Sequence, residues 1–294
     1  MIDPESVDPG SVDWPRVAHS SYLIHQQVSY QYPAPIQDLE HHLVVFPPRN
    51  HGDQRRITYQ LDVSNAEHRQ TTRNDAFGNL VVDLLVARVE QTIAFEAWMV
   101  VERRGNTGPH RVRGTWLGDR RLLEPSPLTG PDDALRQAAA DLVMTGGDPL
   151  ELAGRISTWV YQTMTYERGV TDVGTSAAEA LTLGRGVCQD YAHVMIAVCR
   201  LCGIPARYVS GHLLGEGAMH AWVEVILPSV HHPAEGIAWP FDPTHDRTPS
   251  LCYLTVAVGR DYADVSPTRG TFRAATPGCL SSHECVTLTS VHYG

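Results

Sequence analysis

The 294-residue sequence contains no lysine, so all 23 of its cationic side chains are arginine. This absence excludes chemistry that needs an ε-amine, such as a Schiff-base lysine, a pyridoxal-phosphate lysine or the lysine of a phosphate-binding loop. It also excludes the chain as the lysine donor of an isopeptide crosslink. A coding bias towards arginine is a sufficient cause, and the exclusions hold whatever the origin.

A basic stretch and a long apolar run are also missing. The formal net charge is −10, with 33 acids against 23 arginines, which argues against a nucleic-acid partner. No run approaches the roughly 18–20 apolar residues of a membrane span, and the acidic, proline-rich first 16 residues do not resemble a secretory signal. We therefore expect no membrane association and a cytoplasmic location. Thiols stay reduced there, so the six cysteines suggest catalysis, metal binding or core packing rather than disulfides.

The length predicts about two domains, with a break at the proline-rich segment 123–131. Before it, polar and apolar residues alternate over 57–63 and 93–101, which is typical of half-buried strands. We predict an N-terminal domain over 1–122 that resembles an antiparallel β-sandwich.

The second domain, over 132–294, is predicted to place helices before strands. Helical spacing or caps indicate helices over 133–144 and 148–164, a short one after Ser176, and one from Cys188. Candidate strands follow over 207–213, 220–227, 237–241 and 252–258. This order indicates an α+β domain rather than alternating βαβ units.

Cys188 is the strongest candidate nucleophile. Gly184 and Gly186 allow a tight turn before it, and the apolar spacing after it predicts a buried helix that ends near Gly203. A cysteine in the first turn of a helix is favoured as thiolate by the helix dipole. The free N–H groups there can also stabilise an oxyanion.

A thiolate that acts on a carbonyl needs a base. His220 begins a segment that alternates like a strand, so we expect it to project from a sheet edge. Asp242 follows a short apolar strand and precedes a proline; its carboxylate could set the tautomer of His220. With fifteen histidines in the chain, this spacing alone is a weak signal.

The segments around these residues resemble the transglutaminase-like superfamily, in particular its bacterial cysteine-peptidase branch with an N-terminal β-domain. The resemblance rests on GVCQDYAH, CRLCGIPARYVSGHL, HAWVEV and FDPTHD, with DAFGN at 75–79 and GRDYADV at 259–265. It implies a papain-like α+β core in which Cys188 is the nucleophile, His220 the base and Asp242 its orienting carboxylate. The implied activity is that of a cysteine protease, amidase or acyltransferase acting on amide or peptide bonds through a thioester. The implied partner is a peptide or protein substrate.

Several assignments stay open at this stage. Tyr166 and Gln189 are candidates for the second oxyanion donor. No cofactor and no metal are implied, and the oligomeric state is unknown. The alternative function is a non-catalytic protein-binding scaffold on the same fold.

A third interpretation is a zinc protein. Cys279, His283 and Cys285, with His292, offer soft ligands, but their spacing matches no known zinc module. The Cys199-x-x-Cys202 pair lies late in an apolar helix, where core packing is favoured over metal or redox chemistry. For His193 we expect a hydrogen-bonded structural role, and for Asp190 a cap of the helix start.

Overall fold

The fold is described from a computed structural model, which covers residues 6–64, 66–105, 108–274 and 277–294. It is a mixed α+β structure with sixteen strands and six α-helices among these residues. The strands are β1 Val17–Gln31, β2 Ile36–Phe46, β3 Asn50–His51, β4 Gln54–Ser64, β5 Arg69–Asn74, β6 Leu80–Val89, β7 Thr92–Arg104, β8 His110–Val112, β9 Thr165–Tyr166, β10 Arg185–Gly186, β11 Ala206–Leu213, β12 Met219–Pro228, β13 Gly236–Phe241, β14 Tyr253–Gly259, β15 Thr268–Arg273 and β16 Cys279–Tyr293. The helices are α1 Arg120–Leu123, α2 Asp133–Met144, α3 Pro149–Thr163, α4 Ala177–Leu183, α5 Cys188–Leu201 and α6 Tyr262–Val265.

Two antiparallel sheets form the N-terminal part. One has the order β16-β1-β7-β4-β3 and the other β15-β2-β6-β5. Alternate residues of β7 are buried, from Ile93 to Val101. They pack in one apolar core with residues of the second sheet such as Leu43 and Leu84. The predicted sandwich-like β-domain is therefore confirmed, and its core rests on the period-two pattern.

The last two strands lie in these N-terminal sheets and not in the second part of the chain. β16 pairs with β1 along its whole length, and β15 pairs with β2. Segment 268–293 was expected to belong with the second domain, and the pairing instead adds it to the β-sandwich. The reason is long-range strand pairing, which leaves no local mark in the sequence.

The second part is built on the sheet β14-β11-β12-β13-β8. Helix α5 is buried along almost its whole length. It packs against β12 and against α2, α3 and α4. β12 is the central strand, so His220 lies near the start of a central strand and not at a sheet edge as expected. The short strand β8, from the first part of the chain, adds to the far edge beside β13.

The free edge of β14 is covered by side-chain amides from the N-terminal part. The amide of Asn79 donates to the Val258 carbonyl at 2.7 Å and accepts from the Val258 N–H at 2.9 Å. Gln54 makes the same pair of bonds with Thr255, at 2.7 and 2.9 Å. Each amide therefore acts like the backbone of a neighbouring strand, and the edge needs no further partner. These contacts attach the two parts to each other.

Candidate active site

A tight turn presents Cys188 at the N-terminus of α5. Gly184 ends α4 in the left-handed region, with φ of 62°. A Cβ on Gly186 would lie 2.4 Å from a carboxylate oxygen of Asp190. That carboxylate accepts hydrogen bonds from the Val187 N–H at 2.7 Å and from the Thr171 hydroxyl at 2.7 Å. Asp190 thus caps the helix start, as expected. Residue 186 is a glycine because a side chain there would clash with the Asp190 carboxylate.

His220 and Asp242 are in direct contact. Nε2 of His220 lies 2.9 Å from Oδ2 of Asp242, and both side chains are buried. The side chain of Cys188 is a further hydrogen-bond partner of His220, and both residues border one cavity. The structure therefore brings together the three residues that the sequence motifs indicated.

Asp242 accepts more hydrogen bonds than the sequence suggested. Besides His220, its Oδ2 accepts from Nδ1 of His245 at 2.8 Å and from the Tyr253 hydroxyl at 2.6 Å. Its Oδ1 accepts from the Thr244 N–H at 3.0 Å. Two of these donors lie within three residues of Asp242, but Tyr253 comes from the first residue of β14. The carboxylate is therefore held in one orientation from four directions.

These contacts keep both members of the pair charged. Burial by itself would lower the pKa of His220, but hydrogen bonds with Asp242 and Cys188 outweigh it and raise this pKa to about 10. Burial likewise opposes ionisation of Asp242, yet its donors, His220 first among them, hold its pKa well below the usual value. The imidazole beside Cys188 is therefore protonated near neutral pH.

Glu216 is a second acid at this site that the sequence did not single out. It lies on the loop between β11 and β12, with one carboxylate oxygen 3.6 Å from Nδ1 of His220. Its other oxygen lies 3.7 Å from Nε2 of His245. Glu216 therefore lies close to both histidines that contact Asp242.

A cavity of about 330 Å³ adjoins Cys188 and His220. One wall comes from the second part of the chain, including Tyr208, and another wall comes from the β-sandwich. That second wall carries Gln26 of β1 and Glu284 of β16, whose side chains lie 3.4 Å apart. The buried Oε1 of Gln26 has no hydrogen-bond partner among the described residues. Sequence reasoning missed this wall because it depends on the return of β16.

The two candidate oxyanion donors lie in different places. Gln189 borders the cavity, and its side-chain amide donates to the Val173 carbonyl at 3.3 Å. Tyr166 does not border the cavity; its ring is half exposed and lies 6.5 Å from that of Tyr191. Cys188 and Gln189 are the first residues of α5, so their backbone N–H groups have no carbonyl partner within the helix.

The remaining cysteines and histidines of interest lie elsewhere. Cys199 is fully buried in the core, and burial raises its pKa. His193 is buried too, and its Nε2 accepts from the Tyr262 N–H at 3.1 Å. Along β16, Cys279 and Cys285 are exposed.

Two groups of residues could hold a metal ion within the described ranges. One is His220, Asp242 and His245, whose ligand atoms the hydrogen bonds above already use. The other is His51, His110 and Glu224, away from the cavity. Neither group includes the cysteines or histidines of β16. No helix in the described residues is long and apolar enough to cross a membrane.

Comparisons with known proteins agree with this arrangement. Residues 136–243 match the model of the transglutaminase-like superfamily, and residues 22–102 match that of the bacterial transglutaminase-like N-terminal region. An uncharacterized protein of Mycobacterium leprae is 32% identical over 284 residues, which is 89% of this chain and 94% of the relative. One from Mycobacterium tuberculosis strain H37Rv is 30% identical over 248 residues, 76% of this chain and 78% of the relative. The chain belongs to the transglutaminase-like superfamily.

A solved structure shares the fold over nearly the whole chain. It comes from Cytophaga hutchinsonii and is described as a "Putative Cysteine Protease". Its TM-score is 0.73 at 23% sequence identity, and the match covers 94% of this chain and 93% of that one. The shared fold therefore extends over both the β-sandwich and the α+β part that carries Cys188.

Proposed function

We propose that this protein is a cysteine enzyme that cleaves or transfers acyl groups from amide or peptide bonds. The observation that carries the proposal is the alignment of Cys188, His220 and Asp242, with 2.9 Å between the imidazole and the carboxylate. A helix N-terminus, a protonated imidazole and a buried carboxylate together supply a nucleophile, an acid and an orienting group.

The reaction follows from these positions. The Cys188 thiolate attacks the amide carbonyl carbon, and the free N–H groups at the start of α5 stabilise the oxyanion. His220 gives its proton to the leaving amine, so the C–N bond breaks and a thioester remains. Water or a second amine then gives up a proton to His220 and attacks the thioester, which releases the acyl group and frees the thiol.

The cavity supports a peptide or protein as substrate. It lies between the two parts of the chain, and Glu284 and Gln26 line it together with Cys188. The Glu284 carboxylate and the unpaired Oε1 of Gln26 suit a substrate group that donates hydrogen bonds, such as an ammonium or an amide N–H. Since the chain has no lysine, a lysine amine that resolves the thioester must come from another molecule.

The test is turnover of a peptide-amide library, with and without an added primary amine, followed by mass spectrometry. Hydrolysed products indicate water as the acceptor, and amine adducts indicate transfer. We expect Cys188→Ala to lose all turnover and Cys285→Ala, an exposed thiol on β16, to keep it. Full turnover by Cys188→Ala contradicts the proposal. An unreactive Cys188 in the wild type favours the non-catalytic scaffold.

A further inference from the structure

A second cluster of side chains that could bind a ligand is centred on Glu224. This residue lies two positions after Trp222 on strand β12. Oε1 of Glu224 lies 3.0 Å from Nε2 of His51 and 3.9 Å from Nδ1 of His110. The three ligand atoms all lie within 4.8 Å of one another. Each residue comes from a different strand, β3, β8 or β12, so no sequence motif reveals the cluster.

The two carboxylate oxygens of Glu224 have different partners. Its Oε2 accepts from Nε and Nη2 of Arg207 at 2.8 and 2.6 Å, and this leaves Oε1 to face the two imidazoles. A carboxylate with one oxygen held by a fixed donor and the other aimed at a ligand position is a common support in metal sites. The ring of His110 makes no hydrogen bond within the described residues, so its nitrogens are available as ligands.

We infer that His51, His110 and Glu224 bind one divalent transition-metal ion of the zinc type. Tetrahedral zinc with nitrogen and oxygen ligands at 2.0–2.2 Å requires about 3.3 Å between ligand atoms. The separations of 3.0 and 3.9 Å from Oε1 need only small side-chain shifts to reach this value. Two imidazoles and a carboxylate form a ligand set that suits zinc.

The surroundings provide space for a fourth ligand and a way in. A small cavity of about 30 Å³ borders all three residues, enough for one water molecule. A larger groove of about 530 Å³, lined by His51, His110 and Arg207, opens on another side. The ion therefore has an entry path that does not pass through the Cys188 cavity.

Such an ion would attach the β-sandwich to the catalytic sheet. β3 belongs to an N-terminal sheet, and β12 carries His220 four residues before Glu224. An ion that binds the folded chain but not the unfolded chain stabilises the folded state. This stabilisation increases with the logarithm of the free metal concentration. The expected role is structural, and its readout is stability rather than turnover.

The rival explanation is a hydrogen-bond network in which His51 and Arg207 neutralise Glu224 without a metal. A second rival is metal capture at His220, Asp242 and His245. Variants at the two clusters separate these possibilities. Glu224→Gln also breaks the pair with Arg207 and can fail to fold, so His110→Ala and His51→Ala are the informative changes.

The experiment uses tag-free, chelator-treated full-length protein in a Cys188→Ser background, titrated with Zn²⁺ by calorimetry and followed by thermal unfolding. We expect about one Zn²⁺ per chain and a rise in Tm with Zn²⁺. His110→Ala or His51→Ala should weaken binding by about tenfold or more and remove the rise in Tm. The controls His245→Ala and His231→Ala should keep both. Absence of stoichiometric binding overturns the inference, and so does binding that survives His110→Ala and His51→Ala but is lost in His245→Ala.

Discussion

The change Asp242→Asn tests how the carboxylate controls the charge of His220. In the wild type the pKa of His220 is about 10, so at pH 8 nearly every molecule carries the imidazolium. At the ordinary pKa of about 6.5, about 3% of the rings would be protonated at pH 8, a loss of roughly 30-fold. Because Asp242 makes the largest contribution that raises this pKa, we expect the variant to move most of the way towards that limit.

Paired alkylation of Cys188 measures this charge. Iodoacetate is an anion and is attracted by the imidazolium, whereas iodoacetamide is neutral and corrects for the reactivity of the thiolate itself. The ratio of the two rates, followed by peptide mass spectrometry, should fall through a midpoint near pH 10 in the wild type. In Asp242→Asn the midpoint should lie close to the value for an unperturbed histidine.

The matched control is Asp83→Asn, which breaks a His–Asp pair with His42 in the β-sandwich, far from the cavity. Its midpoint should stay at that of the wild type. Equal midpoints in the wild type and Asp242→Asn would refute the argument. Because the pKa of His220 is raised in the folded protein, protonation of His220 stabilises the fold. This contribution is complete below pH 6.5 and is lost as the pH rises through about 10.

Three further substitutions test the turn, the junction and the cavity wall. Gly186→Ala places a Cβ against the carboxylate that caps α5. The free energy of unfolding should therefore fall by about 1–3 kcal/mol, and Cys188 alkylation should slow. Gly217→Ala is the control, because open space surrounds that position. Asn79→Asp removes the donor to the Val258 carbonyl and should cost about 1–3 kcal/mol in denaturant titration. Glu284→Gln should raise KM for substrates with an ammonium group more than for neutral ones, measured on matched peptide pairs.

Opposite results would identify the failing step. An unchanged stability in Gly186→Ala would mean that the turn before Cys188 has room for a side chain. A stable Asn79→Asp would mean that the edge of β14 finds its partners elsewhere. An equal change in KM for charged and neutral peptides would remove Glu284 from substrate recognition.

Local patterns predicted the helices of the second part closely. The helix expected over 133–144 is α2, Asp133–Met144, because its apolar spacing and the cap at Asp132 both act within one segment. Cys188 begins α5 as expected, since the glycines and Asp190 define that turn locally. Here the information lies within a few residues of each position, and periodicity is enough to recover it.

Long-range pairing explains what the sequence did not reveal. β16 joins β1 across 248 to 276 residues of chain, and with it Glu284 reaches the cavity. Glu216 reaches His220 from a loop whose path depends on the sheet. His245 and Tyr253 add hydrogen bonds to Asp242 that only the folded geometry shows. No residue type or spacing marks such contacts in advance.

The central claim is that Cys188 forms an acyl-enzyme. The most direct measurement is an acid quench during turnover of a peptide amide, followed by mass spectrometry of the cysteine peptides. The account predicts the mass of the acyl group as a thioester on Cys188, absent from His220→Ala and present in Asp83→Asn. An acyl group on any other residue, or turnover without a detectable thioester under single-turnover conditions, would contradict it.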